Sequence, residues 1–106
     1  LACFLIGSDG SAVSLAAVLP ELIVALDRRV RAGDFAKALE IHTVLFDFAR
    51  LVYGAPGHMA AARLKACLAE LGRIPDDACR APTPAVSPGE RAALMAALRP
   101  CLALAL

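Results

Sequence analysis

Apolar residues recur along this chain at three- and four-residue steps, broken by short polar runs, and that rhythm predicts helices. Leu19, Leu22, Ile23, Leu26 and Val30 fall on one face, with Asp27, Arg28, Arg29 and Arg31 mostly opposite. Pro20 suits the first turn of this helix, where its missing N–H costs nothing. Gly33 closes the helix as the residue just past its end. Asp34 then caps a second helix carrying Phe35, Leu39, Leu45, Phe46, Phe48, Ala49 and Val52. That apolar face is broad enough to be covered on two sides. Arg31-Ala32-Gly33-Asp34 is therefore a tight corner between roughly antiparallel helices.

Tyr53-Gly54-Ala55-Pro56-Gly57 breaks the pattern. A third helix follows from about His58 to Leu71, stopped by Gly72, with Met59 or Ala60, Leu64, Cys67, Leu68 and Leu71 as its stripe. Arg73–Ser87 holds Pro75, Pro82 and Pro84 without periodicity and reads as an ordered, extended connector. Ser87-Pro88-Gly89-Glu90 is a helix start, with Ser at the cap, Pro at the first position and Glu at the third. The last helix runs to about Leu98. Pro100 is expected to end it and to leave an apolar tail, Leu102–Leu106.

The first residues are less regular. Leu1–Ile6 reads as the last turns of a helix or a short buried run. Gly7-Ser8-Asp9-Gly10 is a turn. Ser11–Leu15 is a short strand candidate without a partner strand in the sequence, and a lone strand leaves its backbone groups unpaired. Together with an apolar first residue that is not Met, this predicts a chain cut from something longer. Neither a signal peptide nor a membrane span is expected. There is no basic segment ahead of the apolar run, and the glycine turn interrupts it before ~20 residues accumulate.

Composition narrows the class. The 106 residues allow one domain and are too few for a complete barrel of ~250. A hydrophobic share of 59%, mostly Ala and Leu, excludes disorder for most of the chain and favours helices over a sandwich. The formal net charge is +1, so no basic field points to nucleic acid. Cys3, Cys67, Cys79 and Cys101 show no C-x-x-C spacing and no nearby His. They are read as reduced thiols of a cytoplasmic protein, with no metal site.

Candidate chemistry is sparse. His42 sits mid-helix among Ile41, Val44 and Leu45 without a nucleophile at helical spacing, which makes it a structural or partly exposed residue. His58 is a surface residue of a helix start. Lys37 and Lys65, the only lysines, read as solvated charges, whereas a Schiff-base lysine must be desolvated. Asp76-Asp77 reads as a solvated turn, since two carboxylates fall short of a calcium cage. Gly7-Ser8-Asp9-Gly10 is not a phosphate loop, which would follow a strand and open a helix.

The order of these elements resembles a known family. Gly7-Ser8-Asp9-Gly10-Ser11-Ala12-Val13-Ser14, running on to Pro20-Glu21, is similar to the barrel end of the dihydrodipicolinate synthase / N-acetylneuraminate lyase family. Arg31-Ala32-Gly33-Asp34 with Ala38 resembles that family's helix corner. Leu64-Lys65-Ala66 with Leu71-Gly72 resembles a later helix, Cys79-Arg80-Ala81-Pro82 its Arg-x-Pro segment, and Ser87-Pro88-Gly89-Glu90 the start of its terminal helix. The five motifs occur in order between Gly7 and Leu98.

The resemblance implies a fold class that is mainly α in this chain. Residues 1–31 would be the last strand and helix of a (β/α)8 TIM barrel, and residues 32–106 a C-terminal helical subdomain. It also implies a lyase or aldolase that forms a Schiff base between a lysine and pyruvate or a related 2-keto acid, with a tyrosine shuttling protons. Both residues would lie upstream, so no catalytic residue is expected here and this chain alone should be inactive. Gly10, Ala12 and Val13 would contribute to substrate binding, because barrel active sites lie at strand C-termini. The family usually carries Ile or Val at the position of Ala12 and Asn at that of Ala17, and this sequence carries neither. The implied partners are the keto acid, the rest of the barrel and further copies in a homo-oligomer, with no cofactor, nucleic acid or membrane. The alternative reading is a free-standing helical interaction module without catalysis.

Overall fold

Glycine sets the helix ends. In the computed structural model, which describes residues 1–105, the helices are α1 (Ala2–Leu5), α2 (Pro20–Arg31), α3 (Phe35–Tyr53), α4 (Ala60–Glu70) and α5 (Pro88–Ala105). Short 3-10 turns occupy Ser14–Ala17 and Gly57–Met59. At the end of α2, Gly33 takes φ +73°. This lets its own N–H reach Val30 O at 3.0 Å and lets the Asp34 N–H reach Arg29 O at 2.9 Å. Gly72 repeats the device after α4 with φ +68°, and the N–H of Arg73 reaches Leu68 O at 2.9 Å. Both are paired closures that satisfy the last carbonyls of a helix.

Asp34 completes the first corner. One carboxylate oxygen accepts the Lys37 N–H at 3.3 Å and the other accepts from Arg29 at 3.1 Å. The chain reverses there, and α2 packs along α3. At the start of α5, Ser87 Oγ accepts the Glu90 N–H at 3.2 Å, as its cap position requires.

α3 is the central helix. Its buried stripe is Ala38, Ile41, Leu45, Phe48 and Val52. Leu22 and Leu26 of α2 meet the same core, as do Leu94, Leu98 and Cys101 of α5. Val18 and Leu19, fully buried, fill the end where the 3-10 turn enters α2. As its broad apolar face predicts, α3 is covered on two sides, by α2 and by α5. Phe35, Leu39 and Phe46 form a stripe beside these contacts and, among the described residues, stay 56%, 57% and 54% exposed.

Three expectations need correction. Ser11–Leu15 does not form a strand, and no strand occurs among the described residues. Val13 is extended, with φ −137° and ψ 133°, but the backbone then tightens into the 3-10 turn that buries Leu15. Without a neighbouring strand, extended backbone gains no ladder bonds, and burial of Leu15 decides the local shape. Second, Pro100 does not end α5, which continues to Ala105 and takes in the described part of the expected tail. A proline inside a helix costs ~3 kcal/mol. Here Pro100 and Ala96, the residue whose carbonyl loses its donor, are both exposed, while Leu98 and Cys101 on either side of the proline are fully buried. Leu106 lies outside the described residues. Third, the buried face of α4 holds the expected Met59, Leu64 and Cys67 but also takes in Ala62, Arg63 and Ala66, while Leu68 and Leu71 are only half-buried. Alanines let α4 approach closely, and Arg63 fills the space they leave.

Arg63 is only 3% exposed and is the one buried charged residue among those described. Its Nε donates to Glu90 Oε1 at 2.6 Å. Nη1 donates to Val52 O at 3.0 Å and Gly54 O at 2.7 Å. Longer approaches of 3.4 Å reach Pro56 O and Ala55 O. Val52 is in the last turn of α3, where carbonyls lack helical partners and favour a cation. The guanidinium thus binds the end of α3, the following turn and the start of α5 from a seat on α4. Replacing Arg63 with Met is expected to lower the unfolding free energy by about 3 kcal/mol, since it strands buried carbonyls. Glu90→Gln, at a partly exposed partner, should cost about 1 kcal/mol or less. Urea unfolding of both variants checks this. An unchanged midpoint for Arg63→Met would mean that water serves those carbonyls equally well.

Candidate functional site

The sequence-predicted substrate segment lies at one edge of the helical layer. Gly10 and Ala12 are exposed and Val13 is half-buried. Val13 lines a shallow, mainly apolar groove of about 180 Å³ with Ser11, Phe4, Ile23, His42 and Phe46. Gly10 and Ala12 are not among the residues lining that groove. The turn ahead of them is held internally, with Ser8 Oγ donating to Gly10 O at 2.8 Å. The segment therefore presents two small residues to solvent and one aliphatic side chain to the groove.

His42, read as structural or partly exposed from the sequence, forms part of the groove wall. Its ring lies 5.9 Å from that of Phe46 with the planes tilted by 40°. Partial burial among apolar groups holds its pKa below the ordinary value, because the imidazolium form loses hydration there. Among the described residues none hydrogen-bonds to its ring, so none orients it as a base. His58 is exposed on the 3-10 turn before α4, as expected.

Neither lysine is placed for Schiff-base chemistry. Lys37 is exposed and pairs with Glu40 at 3.1 Å. Lys65 differs from its reading as a solvated charge: it is half-buried, and its Nζ donates to the Ala78 carbonyl of the connector. That contact fastens the connector to α4. Neither ammonium stands in an enclosed apolar pocket of the kind a nucleophilic amine needs.

The aspartate pair is split in the same way. Asp76 Oδ1 accepts the Ala78 N–H at 2.9 Å and shapes the turn. Asp77 is engaged by Arg91, whose other nitrogen reaches Glu70 at 3.2 Å. Among the described residues, no three of His, Cys, Asp and Glu come together as a metal would require. The connector, expected to be extended and ordered, is indeed held along its length by Lys65, Arg91 and the burial of Val86.

The residue that sequence reasoning passed over is Arg63. Its signal was present, because position 63 falls on the same helix face as Met59, Ala66 and Cys67, where a charge is out of place unless it has partners. Its role is to hold the fold. Glu90, read as part of a helix-start signal, turns its carboxylate to Arg63 instead of back toward the cap.

None of the four cysteines is in a disulfide. Cys67 and Cys101 are buried, and burial pushes each thiol up to about 11 by penalising the thiolate. Cys3 is exposed and Cys79 is half-buried. At pH 8 an alkylating reagent is expected to modify Cys3 first and to reach Cys67 and Cys101 only on unfolding, as peptide mass spectrometry would show. The same burial links pH to stability. The folded state keeps these two protons to higher pH than the unfolded chain, so their contribution is complete below pH 9. It is lost as pH rises from 9 to about 11. A Cys67→Ala, Cys101→Ala variant should show a flatter stability curve across that window, and an identical curve would refute the assignment.

The model of the dihydrodipicolinate synthetase family matches residues 1–100. No curated protein and no solved structure matches the chain.

Proposed function

The chain belongs to the dihydrodipicolinate synthetase family, and on that footing we propose that it is the C-terminal part of a Schiff-base lyase or aldolase. The substrate is pyruvate or a related 2-keto acid, and the reaction makes or breaks a carbon–carbon bond. The catalytic lysine and tyrosine belong to an upstream part of the enzyme. In this reading residues 1–31 supply the eighth strand and helix of the barrel, and residues 32–106 the helical subdomain. Gly10, Ala12 and Val13 form one edge of the substrate pocket, with Ala12 leaving more room than the Ile or Val usual in the family.

The observation that carries the proposal is the match over residues 1–100, which spans the turn, both helix corners, the connector and the start of the terminal helix. Two features of the fold support it. An extended residue, Val13, lies next to backbone that makes no ladder bonds, as a barrel strand without its neighbours would. The bare stripe of Phe35, Leu39 and Phe46 offers an apolar face of the kind that packs against further helices or a second copy. Homo-oligomerisation and a cytoplasmic location belong to the same proposal. No helix among the described residues is long and apolar enough to cross a membrane.

One observation favours the alternative of a free-standing helical module. The core closes on itself without an unsatisfied buried side-chain polar atom among the described residues. A cooperative thermal transition of the 106-residue chain as a monomer would support that module, whereas a molten or aggregated state would support a severed piece.

Incubation with pyruvate and borohydride tests the catalytic half. The 106-residue chain is expected to gain no covalent adduct at Lys37 or Lys65, because Lys37 is paired with Glu40 in solvent and Lys65 is engaged by the Ala78 carbonyl, with neither in an enclosed apolar pocket. The longer polypeptide that contains it is expected to trap pyruvate on a single lysine outside this sequence. An adduct on Lys37 or Lys65 would overturn the assignment of the chemistry to upstream residues.

A further inference from the structure

Gly10, Ser11 and Ala12 make no backbone–backbone hydrogen bond, yet the segment is tied down at both flanks by side chains from distant helices. Ahead of it, Arg31 Nη2 donates to Asp9 O at 2.9 Å. The same guanidinium is aimed by Asp27, whose carboxylate oxygens accept from Nε at 2.8 and 3.0 Å. Behind it, Ser14 Oγ and Tyr53 Oη share a hydrogen bond of 2.5 Å. Arg31 is the last residue of α2 and Tyr53 the last residue of α3. Two helix ends therefore reach across to the two ends of one short loop.

We infer that Arg31 and Tyr53 are positioning residues for the Gly10–Val13 segment, fixing the angle at which it meets a keto acid. The inference rests on the lyase reading above and extends it to two residues outside the substrate pocket. Neither side chain touches the proposed substrate. Arg31 acts through the Asp9 carbonyl and Tyr53 through the Ser14 hydroxyl. The physical need is clear from the backbone. A four-residue stretch containing glycine and lacking ladder bonds samples many conformations, and a ligand that orders it loses that entropy from its binding free energy. Clamping both ends removes most of this cost before the ligand arrives. The helical layer then acts on substrate affinity without contributing a group to the chemistry.

The test uses the lyase that contains this chain. Tyr53→Phe removes the hydroxyl and keeps the ring, and Ser14→Ala removes the other half of the bond. Each should raise KM for the keto acid about 2- to 10-fold, the size of one hydrogen bond, with kcat within about twofold of the wild type. The double variant should be no worse than either single one, since both delete the same interaction. Arg31→Lys should raise KM in the same way, because an ammonium cannot hold Asp27 with two bonds and still reach Asp9 O. Backbone 15N relaxation in the 106-residue chain gives an activity-free readout. Residues 10–13 should show lower order parameters in each variant while α3 and α5 keep theirs. Unchanged KM together with unchanged order parameters would overturn the inference. Failure of the wild-type enzyme to trap pyruvate overturns the lyase reading instead, and lower order parameters at residues 10–13 would then still support the clamp itself.

Discussion

The rest of this fold depends on one buried guanidinium. Arg63 enters from α4 and takes up carbonyls that no helix can satisfy: the last turn of α3 and the turn that leads away from it. Removing a charge from water costs several kcal/mol unless it is fully partnered. Here Glu90 supplies the opposite charge at Nε, and the carbonyls of Val52 and Gly54 take the two hydrogens of Nη1. This arrangement fixes where α4 starts relative to α3 and where α5 enters. The hydrophobic contacts among these helices are not directional, so they alone would tolerate sliding. The polar cluster sets the register in which they pack.

A second set of side chains does for the N-terminal segment what backbone pairing does elsewhere. Arg31 binds Asp9 O, Tyr53 binds Ser14, and Arg73 Nη1 donates to Val18 O at 2.6 Å. The donors stand at the ends of α2 and α3 and just after α4. All three lie near helix C-termini, where a chain reversal brings a long side chain close to another segment. The irregular stretch between α1 and α2 thus follows the helical layer although it has no sheet of its own. Local irregularity here is compatible with a defined position.

Helix ends were legible in the sequence and helix partners were not. Gly33, Gly72, Asp34 and Ser87 each perform the local task that their residue type and spacing announce, because capping is settled within five or six residues. The α3 core stripe was partly legible: Leu45, Phe48 and Val52 are buried, whereas Phe35, Leu39 and Phe46 share the same apolar breadth and remain open. Periodicity marks an apolar face and says nothing about how much of it finds a partner. Pro100 misled because its local cost was judged without the burial of Leu98 and Cys101 beside it. Arg63 escaped notice and Lys65 was read as a solvated charge for a related reason, since the carbonyls they bind lie at a helix end, a turn and a connector whose positions depend on the tertiary fold. The proposed substrate segment rests on resemblance alone, and nothing in its composition distinguishes Gly10, Ala12 and Val13 from an ordinary turn.

The same contrast explains why the Ser11–Leu15 strand did not form. A helix satisfies its own backbone, so α2 to α5 need only burial to be stable. A strand satisfies none of its backbone without neighbours, however strong the preference of Val13 for extended geometry. Val13 keeps its extended dihedrals for a single residue, and the chain then tightens at Ser14 to bury Leu15. Whatever supplies a ladder beside this segment would have to work against that 3-10 turn only at its start, because the turn lies beyond Val13. Gly10–Val13 can therefore pair with a neighbouring strand while Ser14 stays bonded to Tyr53 and Val18 and Leu19 stay buried. Strand pairing on one side and the helical layer on the other make compatible demands on this backbone, which is what a segment at the junction of a barrel and its helical subdomain requires.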